Sequence, residues 1–202
     1  MSDLLCITNR SLCKGDFLAR IQTICSCHPA GIVLREKDLS EDDYTVLAQQ
    51  VLAICHQYAV PCMLHSFPQA AAQLSCEALH LPLPILHQLT VAEKAPLRIL
   101  GASCHSVEDA REAEALGCTY ITAGHVFATD CKKGLPPRGL AFLRDVCANT
   151  SLPVYAIGGI TPERLSAVKA AGAAGACVMS GAMCCEDPSA YFAAFEKERS
   201  LP

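Results

Sequence analysis

The chain has 202 residues, 51% of them hydrophobic and 18% charged. That balance is globular and excludes a disordered chain, and the length suits one core of barrel size. A formal net charge of −4, with no block of like charge, gives no general attraction for nucleic acid or an anionic membrane surface.

Short apolar runs alternate with amphipathic stretches along the chain. The expected strands are Leu4–Thr8, Gly31–Leu34, Pro61–Leu64, Ala78–Leu81, Arg98–Ala102, Thr119–Ala123, Val154–Ile157 and Gly175–Met179. Helical patterns fall at 16–27, 40–59, 68–75, 107–116, 139–149, 161–171 and 188–198, while 83–97 fits no single pattern. Helix starts are marked by Ser40 before three acids, Ser106 with Asp109 three positions on, and Thr161 before Pro162. Gly117 and Gly172 stand where helices stop. Strands apolar on both faces and joined by helices are parallel strands covered on both sides. Eight such units in one chain predict a single (β/α)8 TIM barrel over residues 1–202, with a doubly wound open sheet as the competitor.

The 14 cysteines sit mostly among aliphatic residues, where thiols act as small hydrophobes. The opening "MSDLLCITNR" has no apolar signal core, and no apolar run is long enough to span a bilayer. A cytoplasmic, reducing setting is therefore expected. No Cys-x-x-Cys pair occurs, and neither Cys25-Ser26-Cys27-His28 nor Cys184-Cys185 has the paired spacing of a zinc site. No metal and no cofactor is expected from the residues.

In a parallel barrel the chemistry sits at the strand C-terminal ends. After the second strand, alternation puts Arg35 and Lys37 on one side and Glu36 on the other. A same-facing cation pair suits an anion, and an ion pair at the barrel rim is equally compatible. Ser103 follows the fifth strand and can donate to a ligand oxygen. His65 and His105 also stand at strand ends, where a hydrogen-bonded structural role is the commoner one. Gly158 and Gly159 follow the seventh strand, and Ser180 and Gly181 the eighth. That is the usual phosphate position in barrels, and tight turns would also use these glycines. His125 ends the sixth strand and exchanges protons near neutral pH, with Cys131, Lys132 and Lys133 in the loop beyond it. Cys131 has no base partner readable nearby and ranks below His125.

The segments "VLREKDLSE", "CHSVEDAREAEALGCTYITAGHVF", "YAIGGITPE" and "VMSGAM" resemble the thiamin phosphate synthase/TenI superfamily, in order along nearly the whole chain. The loop "GHVFATDCKKGLPPRG" is similar to the TenI branch, which includes thiazole tautomerases. Three departures separate the chain from a synthase pattern. Val33 stands where a synthase typically has Gln, His65-Ser66 replaces Asn-Asp, and "LHLPLPILHQL" lacks a metal-binding acid. Magnesium wants oxygen ligands, so these losses weigh against magnesium-assisted pyrophosphate displacement.

The resemblance implies an isomerase acting on a phosphorylated thiazole, with His125 as the proton shuttle. It implies Gly158, Gly159, Ser180 and Gly181 around the phosphate, and Arg35, Lys37 and Lys132 as candidates for the carboxylate. The alternatives are a thiamin phosphate synthase, a non-catalytic protein binding a phosphorylated metabolite, and an isomerase of another phosphorylated substrate. No nucleic-acid or membrane partner is expected, and the sequence leaves both monomer and homo-oligomer open.

Overall fold

The computed structural model describes residues 3–199; the outermost residues of the expected 1–202 span lie outside them. Eight strands form: β1 (Leu4–Ile7), β2 (Gly31–Leu34), β3 (Cys62–His65), β4 (Ala78–Pro82), β5 (Ile99–Cys104), β6 (Tyr120–Gly124), β7 (Val154–Ile157) and β8 (Gly175–Val178). Each pairs in parallel with the next, and β8 pairs with β1 through Leu4↔Ala176, Leu5↔Cys177 and Cys6↔Val178. The sheet is a closed (β/α)8 barrel, not the open competitor.

Helices return the chain between strands. They are α1 (Phe17–Ser26), α2 (Glu41–Gln57), α3 (Pro68–Gln73), α4 (Leu83–Leu86), α5 (Val91–Lys94), α6 (Val107–Ala115), α7 (Gly139–Ala148), α8 (Leu165–Ala170), α9 (Ser180–Cys184) and α10 (Pro188–Arg199). The unassigned stretch 83–97 holds two one-turn helices, the second closed by a capping box between Thr90 and Glu93. Ser40 and Ser106 cap as their positions predict, each accepting from the N–H three residues on. Thr161 forms no side-chain cap, and the expected helix at 161–171 divides into a 3-10 turn, Pro162–Arg164, and α8. Among the described residues no helix is long and apolar enough to cross a membrane.

Period-two alternation builds two cores. Outward residues such as Ile32, Leu64, Leu81, Ile121 and Ala156 pack under the helices in the larger one. Inward residues Leu5, Ile7, Val33, Met63, Tyr120 and Cys177 fill the barrel. Six strand C-terminal ends differ from expectation by one or two residues, and two of these shifts take a polar residue into the ladder. β3 extends to His65, and β5 continues past Ala102 to Cys104. A polar residue reads as a strand end in sequence. Here the ladder continues, with Ser103 paired to both Pro82 and Thr122, because its side chain finds a buried hydrogen-bond partner inside the barrel.

Two hydroxyls tie the barrel mouth together. Thr8 donates to Glu36 Oε1 (2.6 Å) and accepts from the Arg35 N–H (2.9 Å). Tyr44, fully buried on α2, donates to the Leu34 carbonyl (2.7 Å) and accepts from the His65 N–H (2.8 Å). Removing that phenol leaves two buried backbone groups unpaired. Tyr44→Phe is therefore expected to lose about 1–3 kcal/mol of stability, read as a lower urea midpoint with an unchanged m-value.

Candidate active site

All eight strands point their C-terminal ends at one cavity of about 350 Å³. Ile7, His65, Thr122, Ile157 and Cys177 form part of its wall from within the barrel. The residues expected to bind or act on a ligand reach it: Arg35 and Lys37 beyond β2, Ser103 on β5, His125 and Lys132 beyond β6, Gly158 and Gly159 beyond β7, and Ser180 and Gly181 beyond β8, while Lys133 is not in its lining.

Alternation at the end of β2 separates the charges. Glu36 turns away from the cavity and is only 2% exposed, accepting from Thr8 and from the Arg10 N–H (2.9 Å to Oε2). Burial raises its pKa, while the Thr8 and Arg10 hydrogen bonds oppose the rise. Arg35 and Lys37 are left on the cavity side. Burial, then Arg35 and then Lys132, hold the Lys37 ammonium below its usual range. Among the described residues no aspartate or glutamate lines the cavity. Three cations thus converge without a lining carboxylate, an arrangement that an anionic ligand would relieve.

The loop after β6 is held at its base. Val126 and Phe127 N–H groups donate to the Ile157 and Gly158 carbonyls, at 2.9 and 3.0 Å, and Arg138 N–H returns to the His125 carbonyl at 3.0 Å. The Gly124–His125 peptide is cis. His125 is partly buried, with Nε2 3.3 Å from the Leu135 carbonyl. His105 Nδ1 lies 2.9 Å from the Gly124 carbonyl, bracing the turn that carries His125. A second cavity, of about 360 Å³, is lined by His105, Gly124, His125, Lys132 and the segment 135–138. Its lining comes from one quarter of the barrel and is mostly exposed loop, so the mouth cavity is the better-built site.

Gly158 has φ +99°, and a Cβ there would stand 2.4 Å from His125 Cβ. Its glycine identity follows from that approach to the catalytic candidate, in addition to any ligand. At Gly181 the crowding group is the Tyr191 ring, brought from α10 to the cavity wall. Tyr191 was not legible in the sequence, because an aromatic in an amphipathic terminal helix reads as core. Thr122 and Thr129 were missed too, as single hydroxyls in an apolar strand and a polar loop.

Inside the barrel, His65 and His80 stack with centroids 5.7 Å apart. His65 Nδ1 lies 2.6 Å from Ser66 Oγ. Burial, reinforced by His80, Arg35 and Lys37, takes the His65 pKa down to about 2. Burial alone takes His80 to about 3. Both are neutral at physiological pH, so neither supplies positive charge to the site. His80 was overlooked in the sequence. Its sign was a histidine sharing the inward phase of Ala78 and Pro82.

The residues present do not fit a magnesium site of the synthase kind. The cavity offers imidazoles, hydroxyls and cations, whereas magnesium wants carboxylate oxygens. Among the described residues there is also no group of three or more His, Cys, Asp or Glu able to share a metal ion. Cys25 packs on Cys55 with sulfurs 3.8 Å apart, and Cys185 lies 3.5 Å from the Arg20 guanidinium.

A closed parallel barrel with a cation-lined cavity where its eight strand C-terminal ends meet has the architecture of a barrel enzyme. The family model described as thiamine monophosphate synthase matches residues 4–182, and the chain belongs to that family. It is 33% identical over 201 residues to "Thiamine-phosphate synthase 2" of Streptococcus pneumoniae, covering 96% of this chain and 94% of that one. It is 33% identical over 191 residues to the thiamine-phosphate synthase of Syntrophomonas wolfei, covering 91% and 90%. The solved thiamine phosphate pyrophosphorylase of Pyrococcus furiosus superposes with a TM-score of 0.83 at 26% identity, covering 97% of this chain and 94% of that one. The relatives' names thus favour the synthase alternative over the tautomerase expected from the sequence.

The buried histidines give a pH prediction. Unfolded histidines take up protons near pH 6.5, and these two do so only near pH 2 and pH 3. Below pH 6.5 the unfolded state binds more protons, so stability is full above that pH and falls toward pH 3. Each histidine contributes a slope of up to about 1.4 kcal/mol per pH unit. Glu36, with its pKa raised, acts in the opposite sense nearer the carboxylate range. Between about pH 6.5 and pH 5, the urea midpoint should therefore fall, and His80→Gln should flatten the fall by about half.

Proposed function

We propose that this chain is an enzyme of thiamin biosynthesis that binds a phosphorylated thiazole in the mouth cavity and moves a proton on it with His125. The observation that carries this reading is the lining itself: among the described residues Arg35, Lys37 and Lys132 share the cavity with His125, and no aspartate or glutamate lines it. Such a set binds an anion and transfers protons without a hard metal ion. The substrate would be a dihydrothiazole carboxylate phosphate whose ring is not aromatic. Taking a proton from the ring carbon and returning it to the exocyclic carbon forms the aromatic carboxythiazole phosphate, with no other reactant consumed.

The Leu135 carbonyl can only accept, so the His125 ring proton belongs on Nε2 and the lone pair on Nδ1. In this reading Nδ1 takes the ring-carbon proton and delivers it to the exocyclic carbon. Arg35 and Lys37 hold the carboxylate, with Lys132 beside them. Gly158, Gly159, Ser180 and Gly181 surround the phosphate, as the turns after the last two barrel strands commonly do.

The relatives' names favour a second reading, a transferase that joins a pyrimidine pyrophosphate to a thiazole phosphate. Both readings share the thiazole phosphate and differ in magnesium. A metal-free assay coupled to thiazole synthase separates them, with aromatic thiazole absorbance timed for wild type and His125→Gln. Wild type should accelerate aromatisation, and His125→Gln should lose about 10²–10⁴-fold in kcat while still binding product. Near-normal turnover in His125→Gln removes that residue from the mechanism. Magnesium-dependent formation of thiamin phosphate, with no aromatisation, moves the assignment to the transferase.

A further inference from the structure

The barrel interior below the cavity holds a hydrogen-bonded chain that the proton shuttle does not use. Tyr120 Oη lies 2.8 Å from His80 Nδ1, and His80 Nε2 lies 2.9 Å from Ser103 Oγ. Tyr120 is 6% exposed and His80 2%, whereas Ser103 reaches the cavity. Gly101 makes room for the pair. A Cβ there would stand 2.2 Å from the Tyr120 ring and 2.6 Å from His80 Nδ1.

Counting protons fixes the direction of this chain. Burial keeps the His80 ring neutral, so one nitrogen donates and the other accepts. Among the described residues, Tyr120 Oη has His80 as its hydrogen-bond partner. A buried hydroxyl proton left without an acceptor is strongly disfavoured, so Tyr120 donates to Nδ1. The ring proton then sits on Nε2 and is donated to Ser103 Oγ. Thr122 Oγ1, at 3.5 Å from the same nitrogen, takes at most a weak share. Ser103 has accepted one hydrogen bond from the protein and keeps its own proton for whatever occupies the cavity. The opposite tautomer would strand the Tyr120 proton and make Ser103 donate to His80 Nε2, leaving only its lone pairs for a ligand.

We propose that Tyr120 and His80 are positioning residues that fix Ser103 as a hydrogen-bond donor, so that the ligand must offer an acceptor atom, a carboxylate oxygen, at that point. The identity of the acceptor rests on the carboxythiazole reading above; the direction of the chain does not. A ligand with no acceptor at that point would leave the Ser103 proton unpaired, so the pairing favours the acceptor-bearing ligand.

Long-range 15N–1H NMR on the histidine-labelled full chain reads the tautomer. His80 should carry its proton on Nε2, with a bare Nδ1, from about pH 5 to pH 8. A wild-type proton on Nδ1 overturns the proposal. Calorimetry then compares carboxythiazole phosphate with the thiazole phosphate lacking the carboxylate. Ser103→Ala and Tyr120→Phe should each reduce the preference for the carboxylate about tenfold, the effect of one donated hydrogen bond. Affinity for the decarboxylated analogue should change less than about twofold. An unchanged preference in both variants also overturns it. Tyr120→Phe keeps the ring packing, and the wild-type NMR result stands even if that variant does not fold. Wild type that binds neither thiazole phosphate removes the functional reading instead, and the tautomer still decides the direction of the chain.

Discussion

The pairing of β8 with β1 is the constraint on which the rest depends. Once the last strand closes on the first, eight parallel strands deliver their C-terminal ends to one rim. Residues as distant in sequence as Ile7 and Gly181 then share a wall. Alternation does the remaining sorting. Inward positions are apolar, such as Leu5 and Met63, except where His80, His65, Ser103 and Thr122 carry polar groups toward the mouth. The floor of the site is therefore also the top of the barrel core.

The electrostatics of that mouth come from where charge is allowed to go. One carboxylate, Glu36, is drawn out of the cavity by Thr8 and the Arg10 N–H, and its two cationic neighbours remain inside. The two histidines below them are neutral because burial costs the charged form more than any partner returns. The site thus combines fixed positive charge at the rim with neutral, direction-setting hydrogen bonds beneath. An acceptor-rich anion answers both.

Close packing, joined at Gly158 by a positive φ, explains the small residues at key places. Gly101 is small because Tyr120 and His80 occupy the space its side chain would need. Gly158 is small because the His125 turn lies against it. These contacts couple the interior network and the loop after β6 to the barrel frame. The loop itself is pinned through the Ile157 and Gly158 carbonyls.

By itself the sequence determined the eight strands, the barrel class, and the strand-end residues Arg35, Lys37, His125, Gly158 and Gly181, because period-two alternation and strand-end punctuation are local properties. The resemblance of four segments, from "VLREKDLSE" to "VMSGAM", carried the family. Only the tertiary structure decided that β5 runs through Ser103, that Tyr191 of α10 reaches the cavity, and that His80 links Tyr120 to Ser103. The β5 and His80 facts depend on contacts between residues 19 to 40 positions apart, and a hydroxyl or imidazole in an apolar run shows no partner until the barrel brings one.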